Sequence, residues 1–292
     1  MRDYIIMTDS CCDLSQQEVE ELDLTVLPLS FTIEGKTLLN TPDHADMSPE
    51  EFFAKIAAGA DCTTAAVNVG QFTDAMEKVL QEGKDILCVC FSSALSTTYQ
   101  SACIAAEDLR EKYPEAKILV IDSLSASRGQ GMLLYRAVRE RREKNLTIDE
   151  LDAYVRSIIQ SQCHWFIVDD LNHLKRGGRV SSTAALVGTM LGIKPVMHTD
   201  SEGRLTPVSK ARGTKAALRA LVDKVGEIGV EPEKNQPMLI CHANCPESVE
   251  YVKGLLKERF GVTDVRDDFL GPVIGAHTGC GTLGLFFVGT ER

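Results

Sequence analysis

Long apolar runs, paired cysteines and a surplus of basic residues are all missing from this chain, and each absence removes a class of function. No stretch reaches the roughly 18 apolar residues that cross a bilayer, so stable membrane insertion is not expected. The first seven residues lead into a short apolar strand rather than a signal peptide, which makes the expected location cytoplasmic. Against 42 acidic residues stand 31 Lys and Arg, a formal charge of -11, and this disfavours a nucleic-acid partner, because neutralising phosphates requires clustered cations. Ten cysteines are scattered without a disulfide framework, so reduced thiols are expected. Cys241-His242-Ala-Asn-Cys245 has no second pair at finger spacing, and no metal is expected.

Signature loops for nucleotides and acyl hydrolysis are also missing. There is no G-x-x-x-x-G-K-[ST] and no G-x-S-x-G. Gly279-Cys-Gly-Thr-Leu-Gly284 satisfies G-x-G-x-x-G, but no strand leads into it and a strand rather than a helix follows, so it is read as a decoy and no NAD or ATP cofactor is expected.

What remains is a 292-residue chain with 44% hydrophobic and 25% charged residues, enough for two ordinary globular domains. Residues 4–10 read as a buried strand ending in Asp9 and Ser10, and Ser15 caps a helix after it. Asp9 is a candidate site residue by its place at a strand end and a candidate cap by its chemistry. Residues 25–33 read as a strand with Pro28 at an edge or bulge, and Glu34-Gly35 as a hairpin turn. Ser48-Pro-Glu-Glu51 opens a helix, and residues 62–70 read as a polar loop before another.

Asp85-Ile-Leu-Cys-Val-Cys-Phe-Ser-Ser93 is a buried strand ending in serines that feed a helix N-terminus, where free N–H groups and the helix dipole favour a carboxylate or phosphate. Residues 117–123 repeat the pattern and end in Asp122 and Ser123. The helix opening at Ser127 carries Arg136, Arg139, Arg141, Arg142 and Lys144 on a solvated or docking face. Alternating strands and helices make residues 1–160 a parallel α/β domain, and the hairpin and mixed strands of residues 161–292 a second α/β domain with a mixed sheet. Residues 181–191 read as a helix apolar on every face, which core or ligand must cover. Near the C-terminus, Gly271-Pro-Val-Ile-Gly-Ala-His-Thr-Gly-Cys-Gly-Thr-Leu-Gly284 sets His277 among five glycines and is read as a close-approach loop.

Taken in order, Thr8-Asp-Ser10 with Asp13-Leu14, Ser92-Ser-Ala-Leu-Ser-Thr-Thr-Tyr-Gln-Ser-Ala102, Asp122-Ser123, Lys175-Arg-Gly-Gly-Arg179 and the glycine-rich segment resemble the DegV family of bacterial fatty-acid-binding proteins. The resemblance implies two α/β domains with a ligand cleft between them that holds a long-chain fatty acid. It also implies a non-catalytic role, the acyl-carrying subunit that presents the carboxylate to a separate ATP-binding fatty acid kinase subunit. By the same resemblance Thr64, Ser93, His277 and Arg212 would hold the carboxylate, and Arg176 and Arg179 would lie near the mouth and face the kinase. The sequence departs from the family pattern at Thr64-Ala-Ala-Val-Asn68, at Ser96-Thr-Thr-Tyr99 and at Cys280, where a proline is usual. The competing reading of the same residues is a serine acyl hydrolase, with Ser93 as nucleophile, His277 as base and Asp9 or Asp122 orienting it.

Overall fold

The computed structural model describes residues 2–180 and 192–292; the apolar helix expected at residues 181–191 lies outside them. Among the described residues the strands form three sheets. The first is parallel, with β1 (Tyr4–Asp9), β2 (Leu24–Leu27), β6 (Asp85–Cys90) and β7 (Ile118–Asp122) in the order β2-β1-β6-β7. Its strands read as continuous apolar runs because both faces are covered. The helices α1 (Gln16–Leu22), α5 (Arg128–Lys144) and α6 (Ile148–Ile158) supply one core, and α3 (Val69–Gln81) and α4 (Thr98–Lys112) the other.

The second sheet is mixed, with β8 (Gln162–Ile167), β9 (Ile193–Thr199), β10 (Leu205–Arg212), β11 (Met238–His242), β12 (Val265–Phe269) and β13 (Leu283–Val288) in the order β10-β9-β8-β13-β11-β12. Only β11 and β12 run parallel. The helices Thr214–Ile228 (α8) and Pro246–Phe260 (α9) cover one face, while the N-terminal half of α5 packs on β8, β11 and β13. The α/β class with a parallel and a mixed sheet is the one read from the sequence.

A small antiparallel sheet corrects the reading of residues 25–33 and 62–70. Pro28 divides the expected single strand in two. β2 stays in the parallel sheet, and β3 (Ser30–Ile33) pairs with both β4 (Lys36–Leu39) and β5 (Cys62–Ala65). The Glu34-Gly35 turn has positive φ at both positions, as a two-residue hairpin requires. β5 was expected as loop. Its Thr63 and Thr64 pair with Thr32 and Phe31 and alternate in exposure. Asn68 then caps α3 in a reciprocal pair with Gln71. The helix α2 (Pro49–Ala57), capped by Ser48 as expected, buries Phe52 and Phe53 against Phe31.

Two short helices fall near the C-terminal ends of strands. Leu171–Arg176 forms α7, capped by Asp170 and carrying Lys175 and Arg176 of the Lys-Arg-Gly-Gly-Arg motif. Pro272–Thr278 forms α10 inside the glycine-rich segment. Pro272 occupies the first turn, where its missing N–H costs nothing, and Gly275 lets α10 lie on Phe52 and Phe53.

Candidate functional site

In an open parallel sheet, ligands bind beyond the carboxyl ends of the strands where the strand order reverses. Here that point lies between β1 and β6, since the chain leaves β1 toward β2 and leaves β6 toward β7. Asp9, at the end of β1, is fully buried and engaged by backbone amides. Its carboxylate accepts from the amides of Cys11 at 3.0 Å and Phe91 at 2.7 Å, clamping the ends of the two strands together. Burial lifts its pKa to about 6 in spite of those bonds.

Beyond β6 opens a cavity of about 240 Å³. Its apolar wall includes Phe91 and Leu95 from the loop after β6, Phe166 and Phe286 from β8 and β13, and Leu205 and Leu270. The cavity therefore lies between the end of the parallel sheet and one face of the mixed sheet. The Ser92 hydroxyl helps to close it by donating to the carbonyl of Gly203 in the β9–β10 turn, at 3.0 Å.

The polar groups gather at one part of this wall. Thr64 Oγ1 and His277 Nε2 are 2.9 Å apart, and both residues line the cavity together with Arg179, Ser96 and Thr97. His277 sits in the last turn of α10 with its ring against Gly177, the residue that ends α7. A Cβ on Gly177 would lie 2.1 Å from His277 Nδ1, so only glycine admits the ring there. Burial, with the Arg179 guanidinium adding to it, lowers the His277 pKa to about 4, and the ring is neutral at pH 7. Arg179 is steered by a 2.7 Å bond to the carbonyl of Gly177.

Of the residues expected around a head group, the fold brings together Thr64 and His277 and leaves Ser93 and Arg212 outside the cavity wall; of the two expected at the mouth, Arg179 joins the wall and Arg176 does not. Ser93 is exposed: the turn over residues 93–95 directs it outward, and its amide donates to Asp122 Oδ1 at 3.1 Å. Ser96, three residues on, takes the place in the wall. Its hydroxyl accepts from the Thr98 amide at 3.2 Å, a contact that also steadies the start of α4. Arg212 is exposed at the end of β10, and Arg176 is exposed on α7 with a 3.0 Å bond to His173 Nδ1. Ser96 was already among the serines and threonines read from the sequence as feeding the helix N-terminus. His164, also in the wall, was not singled out; a histidine inside an apolar strand is the signal for it.

The hydrolase arrangement is not assembled by this geometry. Ser93 is outside the cavity that His277 lines, His277 Nε2 is engaged by Thr64, and Asp9 and Asp122 both accept from backbone amides. The glycine pattern of residues 279–284 runs into β13, so it lacks the helix N-terminus that holds a pyrophosphate. Among the described residues no helix is long and apolar enough to cross a membrane.

A family model described as "Uncharacterised protein, DegV family" matches residues 4–290. A DegV domain-containing protein of Clostridium perfringens is 39% identical over 292 residues, spanning 100% of this chain and 99% of that protein. Among solved structures, one described as fatty acid binding of a DegV family protein from Thermus thermophilus superposes with a TM-score of 0.86 at 29% identity, covering 99% of this chain and 100% of that one. A Thermotoga maritima protein, described as revealing a fatty acid binding function, superposes with a TM-score of 0.83 at 27% identity, with 99% and 100% covered.

Proposed function

The chain belongs to the DegV family, and from that membership we propose that it binds a long-chain fatty acid in the cavity and presents the carboxylate to a separate ATP-binding kinase subunit for phosphorylation. The observation that carries this reading is the Thr64–His277 pair set in the polar part of an otherwise apolar cavity. With the proton on Nε2, the tautomer this reading requires, a neutral His277 donates to Thr64 Oγ1 and leaves the threonine proton free for a carboxylate oxygen. Ser96 supplies a second hydroxyl, and Arg179 supplies positive charge close by. Ser93 and Arg212 take no part in holding the head group.

Magnitudes divide the labour between tail and head. Burying about 14 methylenes at ~0.8 kcal/mol each gives roughly 11 kcal/mol gross, from which ordering costs subtract. A hydrogen bond to a charged group contributes about 1.5–3 kcal/mol. The tail thus supplies most of the affinity and the hydroxyls fix the orientation.

Arg176, exposed beside the polar end, and the half-buried Arg179 present cations to the kinase. The experiment combines the chain loaded with stearate, ATP and a purified bacterial fatty acid kinase subunit, with acyl phosphate trapped by hydroxylamine. The expected result is acyl hydroxamate that requires all three, with Arg176→Glu reducing its formation. Bound stearate that is never phosphorylated would sink the kinase role and leave fatty-acid binding standing.

A further inference from the structure

The basic run of α5 divides when the chain folds. Arg141 lies 4.0 Å over the ring of Tyr4 and donates to its carbonyl, and Lys144 pairs with Glu140. Arg136, Arg139 and Arg142 instead line a cleft of about 370 Å³ between α5, the end of α1 and the strands β11 and β12, where Arg266 joins them. Small-molecule sites occupy roughly 300–1,000 Å³. The cleft shares no lining residue with the fatty-acid cavity. Two of the charged ends, and not only their stems, are placed at it. Arg142 Nη2 donates to the carbonyl of Glu21 at 2.7 Å, and Arg266 Nη1 donates to the Tyr135 hydroxyl at 2.9 Å; Glu21 and Tyr135 are themselves in the cleft wall. Arg142 is exposed and Arg266 half-buried, so both can be reached.

The carboxylates in the wall do not neutralise these cations. Glu21 and Glu143 are exposed and stand 4.0 Å from Arg266 and Arg139, and Asp264 is a further partner for Arg266 at 3.6 Å. Arg136 and Arg142 have no ion-pair partner among the described residues; one donates to the Ser161 hydroxyl at 3.0 Å, the other to the Glu21 carbonyl. Two guanidinium charges are thus left over in a chain whose formal charge is -11. A phosphate monoester carries about 1.5–2 negative charges at pH 7 and accepts from guanidinium forks through several oxygens, so it matches that excess where a carboxylate supplies half. Beneath the arginines the wall is apolar, with Leu22, Met132, Val138 and Leu239 all buried. A bare inorganic ion leaves that surface in water, and an attached apolar group covers it.

We propose that this cleft is a second ligand site, which holds the phosphate of an organic phosphate monoester on Arg142 and Arg266 and receives the apolar part of that ligand on its floor. Arg136 and Arg139 add positive charge at its edge. The site does not rest on the fatty-acid reading, because it is built from other residues. A merely solvated cationic helix face is the competing account, and it predicts weak attraction of any anion without a defined stoichiometry.

The test saturates the full chain with stearate, so that the fatty-acid cavity is filled, and titrates hexyl phosphate, inorganic phosphate and hexanoate by isothermal titration calorimetry at about 0.15 M salt. The expected result is one hexyl phosphate per chain, bound about tenfold more tightly than inorganic phosphate and more tightly than hexanoate, with the stearate retained. Arg142→Gln and Arg266→Gln each weaken it by about 10- to 100-fold, while Lys144→Gln, the same loss of charge on another part of α5, changes it by no more than about twofold. Absence of binding, release of stearate by hexyl phosphate, or an equal loss in Lys144→Gln overturns the site. Inorganic phosphate bound as tightly as hexyl phosphate overturns the organic ligand class. A chain that takes up no stearate is titrated as it is, and the two arginine variants then decide the site separately from the fatty-acid reading.

Discussion

At His277 the environment and the chemistry agree. A lowered pKa means that the native state resists the proton while the unfolded chain, with a value near 6.5, accepts it. The neutral ring's contribution is therefore fully present above about pH 6.5 and is lost as pH falls toward 4. Asp9 and Asp13 act in the opposite sense. Burial raises their pKa values to about 6 and about 7, so their contribution is present in acid and is lost as pH rises through those values. The His277 part is isolated by difference. The stability of the wild type minus that of His277→Gln should fall by roughly 2–3 kcal/mol between pH 6.5 and pH 4, measured by urea unfolding. A flat difference would mean that the ring is solvated.

The serines show where single residues become hard to read. Composition and order locate a candidate anion-binding loop after β6, but Ser92, Ser93 and Ser96 are chemically equivalent in sequence, and only the turn over residues 93–95 decides which one lines the cavity. The turn turns Ser93 outward and Ser96 inward. Thr64→Val and Ser96→Ala are expected to weaken stearate binding by about 10- to 100-fold each without abolishing it, whereas Ser93→Ala stays within about twofold, as read by isothermal titration calorimetry. Equal losses at Ser93 and Ser96 would contradict the placement.

Among the elements, those that announce their ends were legible. Ser15 and Glu18, Ser48 and Pro49, and the Glu34-Gly35 turn place α1, α2 and the β3–β4 hairpin through local chemistry alone. β5 was not legible, because four residues of mixed exposure gain their strand character from pairing with β3 rather than from their own pattern. α10 was hidden by its glycines, which are there for close packing against Phe52 and Phe53 and against the Asp13 carboxylate. α1 carries a further device that its pattern conceals. Glu18, which completes the capping box with Ser15, receives Arg128 at 2.6 and 3.0 Å and Tyr135 at 3.0 Å, which ties α1 to α5. Arg128 is fully buried, so removing its main counter-charge strands a cation. Glu18→Gln is expected to destabilise the protein by about 3 kcal/mol, seen as a lower urea midpoint with an unchanged slope. A loss below about 1 kcal/mol would show that Asp268, 3.9 Å from Arg128, suffices as partner.

For the whole molecule, the order of strands and helices forecast a parallel sheet followed by a mixed one, because the connections alone restrict the choices. It could not forecast how the two sheets share α5, whose Gly129 and Gly131 let it pass close to both His164 and Leu14. That shared helix helps to position the cavity between the sheets, with Thr64 coming from the small third sheet and His277 from α10. The central claim is that this cavity holds one long-chain fatty acid. Native mass spectrometry of the freshly purified full chain, before and after organic extraction and reloading with stearate, tests it most directly. The account predicts a single added mass of one fatty acid per chain, removed by extraction and restored by reloading. A chain that carries no such adduct in either state, while folded, would contradict it.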